Sequence, residues 1–229
     1  MAIKIISTKG YDSNGVKVLV HGPAGIGKTS LCATAPNPLI ISNESGLLSL
    51  AGLDIPVIEV NTLVELDEAY QFLTESKEAD KYQTVCLDSI SEIAEVVLRT
   101  HKAKEKDPRA AYGKLNDDIA ASICAFRDLK GKHVYFTAKQ SRVESEDQPI
   151  RFMPMMPGKT TLNAMSYYFD EVLAMRLGKL EDGTVYRYLQ TYPDLNYEAK
   201  DRSGKLPPRA KPDLAEVFKL ISTAEQIKF

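Results

Sequence analysis

Val16-Lys17-Val18-Leu19-Val20-His21-Gly22-Pro23-Ala24-Gly25-Ile26-Gly27-Lys28-Thr29-Ser30 decides how the rest of the chain is read. An apolar, β-branched run passes straight into Gly-x-x-x-x-Gly-Lys-Thr, the phosphate-binding P-loop pattern, and Leu31-Cys32-Ala33 can continue it as a helix. Strand, glycine loop and helix is the order this motif requires. Glycines at 22, 25 and 27 let successive backbone N–H groups turn inward around a phosphate, and a helix start adds partial positive charge. Gly22, Pro23, Ala24, Gly25, Ile26, Gly27, Lys28, Thr29 and Ser30 are therefore the expected nucleotide cradle. Lys28 would reach the β- and γ-phosphates of ATP, and the Thr29 hydroxyl would ligate Mg²⁺. An ordinary glycine turn does not account for the flanking strand.

Outward from this loop the chain alternates strands and helices. Pro38-Leu39-Ile40-Ile41-Ser42 reads as a buried parallel strand, ending in Asn43-Glu44-Ser45-Gly46. A carboxylate there, Glu44, stands where an open α/β sheet binds its ligands. Ile55 to Val60 is a further strand, and Thr62 caps a helix whose apolar face is Leu63, Leu66, Ala69, Tyr70 and Leu73. Thr84-Val85-Cys86-Leu87-Asp88-Ser89 closes an apolar strand on an acid and resembles a Walker B segment, with Asp88 as the second Mg²⁺ residue. His133 to Ala138 is another strand, delivering Lys139 and Gln140 to its end within reach of a γ-phosphate. Asp170 to Leu177 and Val185 to Thr191, joined by Glu181-Asp182-Gly183, form an antiparallel hairpin. Pro212 opens a short terminal helix through Ile221. The expected fold is α/β, a P-loop NTPase core of mostly parallel sheet with helices on both faces. Residues 1–229 read as one domain, with the hairpin and basic loop of 170–211 as elaboration.

Two stretches break the pattern. His101 to Lys114 crowds Lys102, Lys104, Lys106, Arg109 and Lys114 around Pro108, which fits either a solvated loop between helices or a phosphate-backbone contact. Ser141 to Pro157 is polar, then rich in methionine and proline, and reads as a hairpin or a core-covering loop. Composition narrows the choice of partners. The 229 residues are 44% hydrophobic and 26% charged with net charge −2, so no global basic field advertises nucleic acid and any such contact must be a local patch. Cys32, Cys86 and Cys124 sit in apolar surroundings without metal-like spacing, as buried thiols of a reducing compartment do. No apolar run approaches membrane-spanning length, and a soluble, cytoplasmic protein is expected.

The order P-loop, strand ending in Glu44, strand ending in Asp88-Ser89, strand ending in Lys139-Gln140 and extra hairpin resembles the RecA-type ATPase core. In that family a glutamate at the tip of the strand after the P-loop helix polarises the attacking water, and Glu44 stands in that place. Gly158-Lys159-Thr160-Thr161-Leu162-Asn163-Ala164-Met165 is similar to the segment after RecA's second DNA-binding loop. The small size, Ala111-Tyr112-Gly113 and Phe136-Thr137-Ala138-Lys139 resemble small phage nucleotide-binding proteins with a RecA-type core, some of which are single-strand annealing recombinases. Ala199-Lys200-Asp201-Arg202-Ser203-Gly204 is similar to the Lys-x-Arg-x-Gly motif of RadA and DnaB-type ATPases, whose Lys and Arg reach a neighbouring subunit's nucleotide.

The resemblance implies a Mg²⁺-dependent ATPase that assembles as a ring or filament on single-stranded DNA and promotes recombination or annealing. Glu44, Lys28, Gln140, Lys200 and Arg202 would be its catalytic groups. A single-strand-binding protein is a candidate partner, and the host cytoplasm the compartment if the chain is phage-encoded. Two alternatives stay open: a P-loop small-molecule kinase, with Arg142 and Arg151 as lid arginines, and a nucleotide-dependent scaffold without DNA binding.

Overall fold

The computed structural model describes residues 15–43, 46–146 and 148–222. In chain order the regular elements begin with strands β1 (Lys17–His21), β2 (Pro38–Ser42) and β3 (Val57–Glu59), and helix α1 (Leu63–Glu75). Strand β4 (Thr84–Asp88) leads into the helices α2 (Ile90–Lys104) and α3 (Pro108–Arg127), then β5 (His133–Ala138). A hairpin of β6 (Gln140–Ser145) and β7 (Gln148–Pro154) precedes α4 (Lys159–Tyr168). The strands β8 (Glu171–Lys179), β9 (Val185–Gln190), β10 (Lys200–Asp201) and β11 (Arg209–Ala210) and the helix α5 (Leu214–Ser222) complete the order.

The main sheet runs β11-β9-β8-β1-β5-β4-β2-β3, with β10 added alongside β8. Its centre is parallel from β8 to β3, and β9, β10 and β11 are antiparallel additions. Parallel strands covered on both faces should read as near-continuous apolar runs, and β1, β2, β4 and β5 do in their middles, with polar residues towards their ends. Within β1, Leu19 faces one core while Val18 and Val20 face the other. In the same way Val85 and Leu87 of β4 and Val134 and Phe136 of β5 join Leu19, whereas Cys86 and Tyr135 join Val18. The first core is roofed by α1, α2, α3 and α4, and the second by α5 and two short 3-10 turns at Thr29–Thr34 and Leu47–Leu50. The thiols of Cys32 and Cys86 are buried in that second core.

Local chemistry sets several boundaries. Thr62 and Glu65 cap α1 reciprocally, each side chain bonding the other's backbone N–H. Asp107 caps α3 and Pro108 fills its first turn, where a missing N–H costs nothing. The basic stretch from His101 to Lys114 is therefore mostly helical, with only residues 105–107 between α2 and α3. Because α2 runs on to Lys104, His101 meets Asp118 at 2.6 Å, Lys114 meets Glu105 at 2.5 Å and Lys102 covers the Tyr112 ring. The terminal helix starts later than Pro212 suggests, since the Asp213 carboxylate accepts the Glu216 N–H and acts as its cap.

The parallel strands finish together. Ser42 of β2 pairs with Asp88 of β4, and His21 of β1 with Ala138 of β5, so the loops beyond them all open at one edge of the sheet. The opposite edge is marked by Asp170, whose N–H donates to the carbonyl of Lys17, the first residue of β1. Among the described residues, no helix is long and apolar enough to cross a membrane.

Candidate functional site

At the carboxyl edge, Gly22 to Ser30 turns sharply out of β1. Gly25 and Gly27 hold φ of +73° and +110°, a region that L side chains avoid. Crowding adds a second constraint at Gly27, because a Cβ there would lie 3.3 Å from Met175 Cε and 3.6 Å from Arg187 Nε. Ile26 pins the loop, its side chain sunk in the second core. The Lys28 ammonium curls back to donate to the carbonyls of Gly22 (2.8 Å) and Pro23 (3.0 Å). The segment after Lys28 departs from the expected α-helix: Thr29–Thr34 is a six-residue 3-10 turn, with the Leu31 N–H shared between Gly27 and Lys28 carbonyls. The chain tightens because Ala35 is already extended and β2 must begin at Pro38. Anion attraction at this site therefore rests on the loop's N–H groups and Lys28, with little help from a helix dipole.

The Asp88 carboxylate, 3% exposed, is shared between two hydroxyls. Thr29 Oγ1 donates to Oδ2 at 2.7 Å, and Thr137 Oγ1 to Oδ1 at 2.5 Å. Ser42 Oγ donates to the Asp88 carbonyl at 2.8 Å, tying β2 to β4 where the acid must stand. Tyr135 locks the loop from beneath, its hydroxyl donating to the Lys28 carbonyl at 2.9 Å. A hydroxyl and a carboxylate side by side are the hard oxygen donors that Mg²⁺ takes, and it completes its shell with water and phosphate. Among the described residues, no group of three or more His, Cys, Asp or Glu side chains could hold a metal, so Thr29 and Asp88 would serve with the nucleotide's own oxygens.

Around this cradle lies a cavity of about 630 Å³, lined also by Ser89, Lys139, Gln140, Met155 and Arg187. Lys139 forms an ion pair with Glu92 on α2. Gln140 lies against His21, a fully buried ring whose Nε2 meets the Glu198 carbonyl at 2.7 Å. A carbonyl only accepts, so Nε2 carries the hydrogen; burial pushes the His21 pKa down to about 4 and the ring is neutral at neutral pH. That leaves Nδ1 an acceptor, and among the described residues neither His21 Nδ1 nor Gln140 Oε1 has a hydrogen-bond partner of good geometry.

The structure thus gathers Gly22 to Gly25, Gly27 to Ser30, Asp88, Lys139 and Gln140 at one cavity, while the Ile26 side chain turns away into the second core. Glu44 lies outside the described residues. Lys200 and Arg202 stand elsewhere in their own chain, at the opposite edge of the sheet, because β10 pairs Lys200 with Val172 and Asp201 with Glu171 at the start of β8. The segment is not a free basic loop. The Lys200 ammonium donates to the carbonyls of Ser166 and Phe169 at the end of α4, and Arg202 pairs with Asp170 at 2.7 Å. A separate cavity of about 650 Å³ opens there, beside Arg127, Asp170 and Arg202.

The expected nucleic-acid contacts divide. Lys102 and Lys114 are engaged within the helix pair, while Lys104, Lys106 and Arg109 are exposed and, among the described residues, lack carboxylate partners. Gly158, ahead of α4, packs on Tyr112 and Asn116 of α3, and the far end of α3 lines the opposite-edge cavity; the α2–α3 turn accordingly faces the P-loop's edge. In the β6–β7 hairpin the Phe152 ring is committed to Tyr197, 4.7 Å away and nearly parallel.

Sequence reading missed Ser42, Thr137, His21 and Arg187. The first three carry a weak signal, being polar residues inside otherwise apolar strands. Arg187 carries none, since nothing in the hairpin's alternation says which arginine the sheet brings back to the loop. A family model described as an AAA domain matches residues 14–203, and no curated protein matches the chain. That match takes in the P-loop, the Asp88 strand and the β5 to β9 scaffold around the cavity. The chain belongs to the AAA domain family of P-loop ATPase-like domains.

Proposed function

We propose that the protein is a Mg²⁺-dependent ATPase of the RecA-type group that assembles on single-stranded DNA and promotes recombination or annealing. One observation carries the ATPase reading: Asp88 is fixed by Thr29 and Thr137 beside the glycine cradle, where a triphosphate-bound metal needs a carboxylate. Hydrolysis further requires a group that polarises water, and Glu44 is that group in this reading. Gln140 would sense the γ-phosphate. Support for DNA comes from the exposed Lys104, Lys106 and Arg109 on the same edge as the P-loop, so that a bound strand and the nucleotide face one side. In this reading Lys200 and Arg202 act on a neighbour's nucleotide in a ring or filament, and to do so they would have to exchange their present bonds to the Ser166 and Phe169 carbonyls and to Asp170. The kinase alternative keeps its lid arginines on the β6–β7 hairpin, Arg142 beside Glu144 and Arg151 facing Glu198, in exposed ion pairs that a bound phosphate could replace.

The test is ATP turnover with and without single-stranded DNA, on the wild type and three variants. Lys28→Ala should abolish turnover. Glu44→Gln should keep nucleotide affinity and lose about 10²-fold or more in rate. Replacing Lys104, Lys106 and Arg109 together should remove the DNA stimulation and flatten the dependence of DNA affinity on salt. Turnover indifferent to DNA in the wild type would overturn the DNA part, and normal turnover in folded Lys28→Ala would overturn the whole.

A further inference from the structure

Among the described residues, three cationic side chains reach the P-loop cavity, and they are not equivalent. Lys28 is curled onto the loop's own carbonyls and Lys139 is paired with Glu92. Arg187 is exposed on β9, and among the described residues it has no carboxylate partner. Its guanidinium stem lies directly over Gly27, where an added Cβ would meet Nε at 3.6 Å and Cδ at 3.7 Å. An arginine held against a nest of inward-turned backbone N–H groups, with no acid to neutralise it, concentrates positive charge where an anion enters.

The sheet order says which part of the anion it meets. β1 lies between β5 and β8, with β4 beyond β5 and β9 beyond β8. Of the groups suited to the metal and the terminal phosphates, Asp88, Thr137 and Gln140 come from the β5–β4 side, and Thr29, on the loop after β1, turns its hydroxyl to Asp88. Arg187 approaches from the β8–β9 side, held there by the pairing of Arg187 with Leu177. A nucleotide with its γ-phosphate toward Asp88 has its nucleoside end toward β9. We propose that Arg187 grips the α-phosphate end of the bound nucleotide in cis, so that the antiparallel hairpin β8–β9 is part of the nucleotide site. This rests on the reading that the P-loop binds a nucleotide. The planar guanidinium suits the task, because its parallel N–H groups match two phosphate oxygens in a way an ammonium cannot.

The α-phosphate is common to ATP and ADP, which sets the test. Binding of mant-ATP and mant-ADP, each with Mg²⁺, is measured by fluorescence anisotropy for wild type, Arg187→Gln, Arg187→Lys and Lys28→Ala. Arg187→Gln should weaken both nucleotides by the same factor, about tenfold or more, as expected for loss of a charge-assisted bond. Arg187→Lys should recover only part of the loss. Affinities within twofold of wild type for both nucleotides would overturn the proposal, as would a loss confined to mant-ATP, which would move Arg187 to the γ-phosphate. Failure of the wild type itself to bind either probe would overturn the nucleotide reading and this inference with it. Normal wild-type binding lost in Lys28→Ala but untouched in Arg187→Gln would overturn this inference alone.

Discussion

Asp88 is a buried acid whose two oxygens each accept a hydrogen bond from a hydroxyl, and those bonds offset the cost of burying it. Thr137 is the partner that a metal would not displace, since it sits behind the carboxylate on β5 while Thr29 stands on the loop. Thr137→Val keeps the shape and strips the donor from Oδ1. The expected result is a loss of about 1–3 kcal/mol in stability, measured by urea unfolding, together with a higher Mg²⁺ requirement for nucleotide binding. Thr137→Ser should restore most of both, and an unchanged Mg²⁺ titration in the valine variant would show that Thr137 only fills space. At Gly27 two separate constraints coincide, a positive φ and the nearby Met175 and Arg187 side chains. Gly27→Ala should therefore impair nucleotide binding even where the chain still folds, checked by circular dichroism beside the binding curve.

Among the elements, α1 allows propensity and packing to be compared within one helix. Its capping box satisfies orphan N–H groups at the surface, and its inner face buries Leu66, Ala69 and Leu73 against the first core. Thr62→Ala should cost about 1 kcal/mol, whereas Leu66→Ala, leaving a void under a nearly fully buried side chain, should cost about 3 kcal/mol. The core contact wins, and equal unfolding midpoints for the two variants would contradict that ordering. Both features of α1 were legible in the sequence, as were the central strands, because polar caps and apolar periodicity are local signals. The α2–α3 boundary was not. Clustered lysines look like a loop when their partners cannot be seen, and Glu105 and Tyr112 reach Lys114 and Lys102 only once the two helices lie together. The same limit applied to the site: the P-loop and Asp88 are written contiguously, while Thr137, His21 and Arg187 join them through sheet pairing. The segment holding Lys200 reads as a basic loop in the sequence, yet its ammonium is spent on the carbonyls that end α4.

On the scale of the whole molecule, three buried titrating groups set an unusual pH profile. Glu171 is fully buried, and burial, then the negative charge of neighbouring Asp201, raises its pKa to about 8. An unfolded chain sheds that proton near the ordinary value of 4.5, so between 4.5 and 8 the folded state binds more protons and stability falls as pH rises. His21, lowered by burial to about 4 from 6.5, acts in the opposite sense below 6.5, where its protonation in the unfolded chain favours unfolding. Lys17, lowered by burial to about 8 from 10.5, makes stability rise again across that upper range. Stability should accordingly decline from pH 6.5 to a minimum near pH 8, by up to about 2 kcal/mol from Glu171. Glu171→Gln should flatten that decline. Denaturant midpoints for both proteins at intervals across this range measure it, and a parallel fall in the variant would assign the slope to other groups.

The central position of β1 has a consequence for the order in which the protein is made. Its partners on both sides, β5 and β8, are encoded far downstream, and the Val16 N–H bonds to the His133 ring across 117 residues. By contrast β2 and β3, or β8 and β9, find each other almost locally. While the ribosome works through the intervening helices, β1 has two open edges and neither of these partners to seat it, the exposed state in which chains associate wrongly. A nascent chain stalled before His133 should remain protease-sensitive and bound by holding chaperones, and release should come only after β5 has left the exit tunnel. The glycine cradle, though translated early, becomes a shaped surface late.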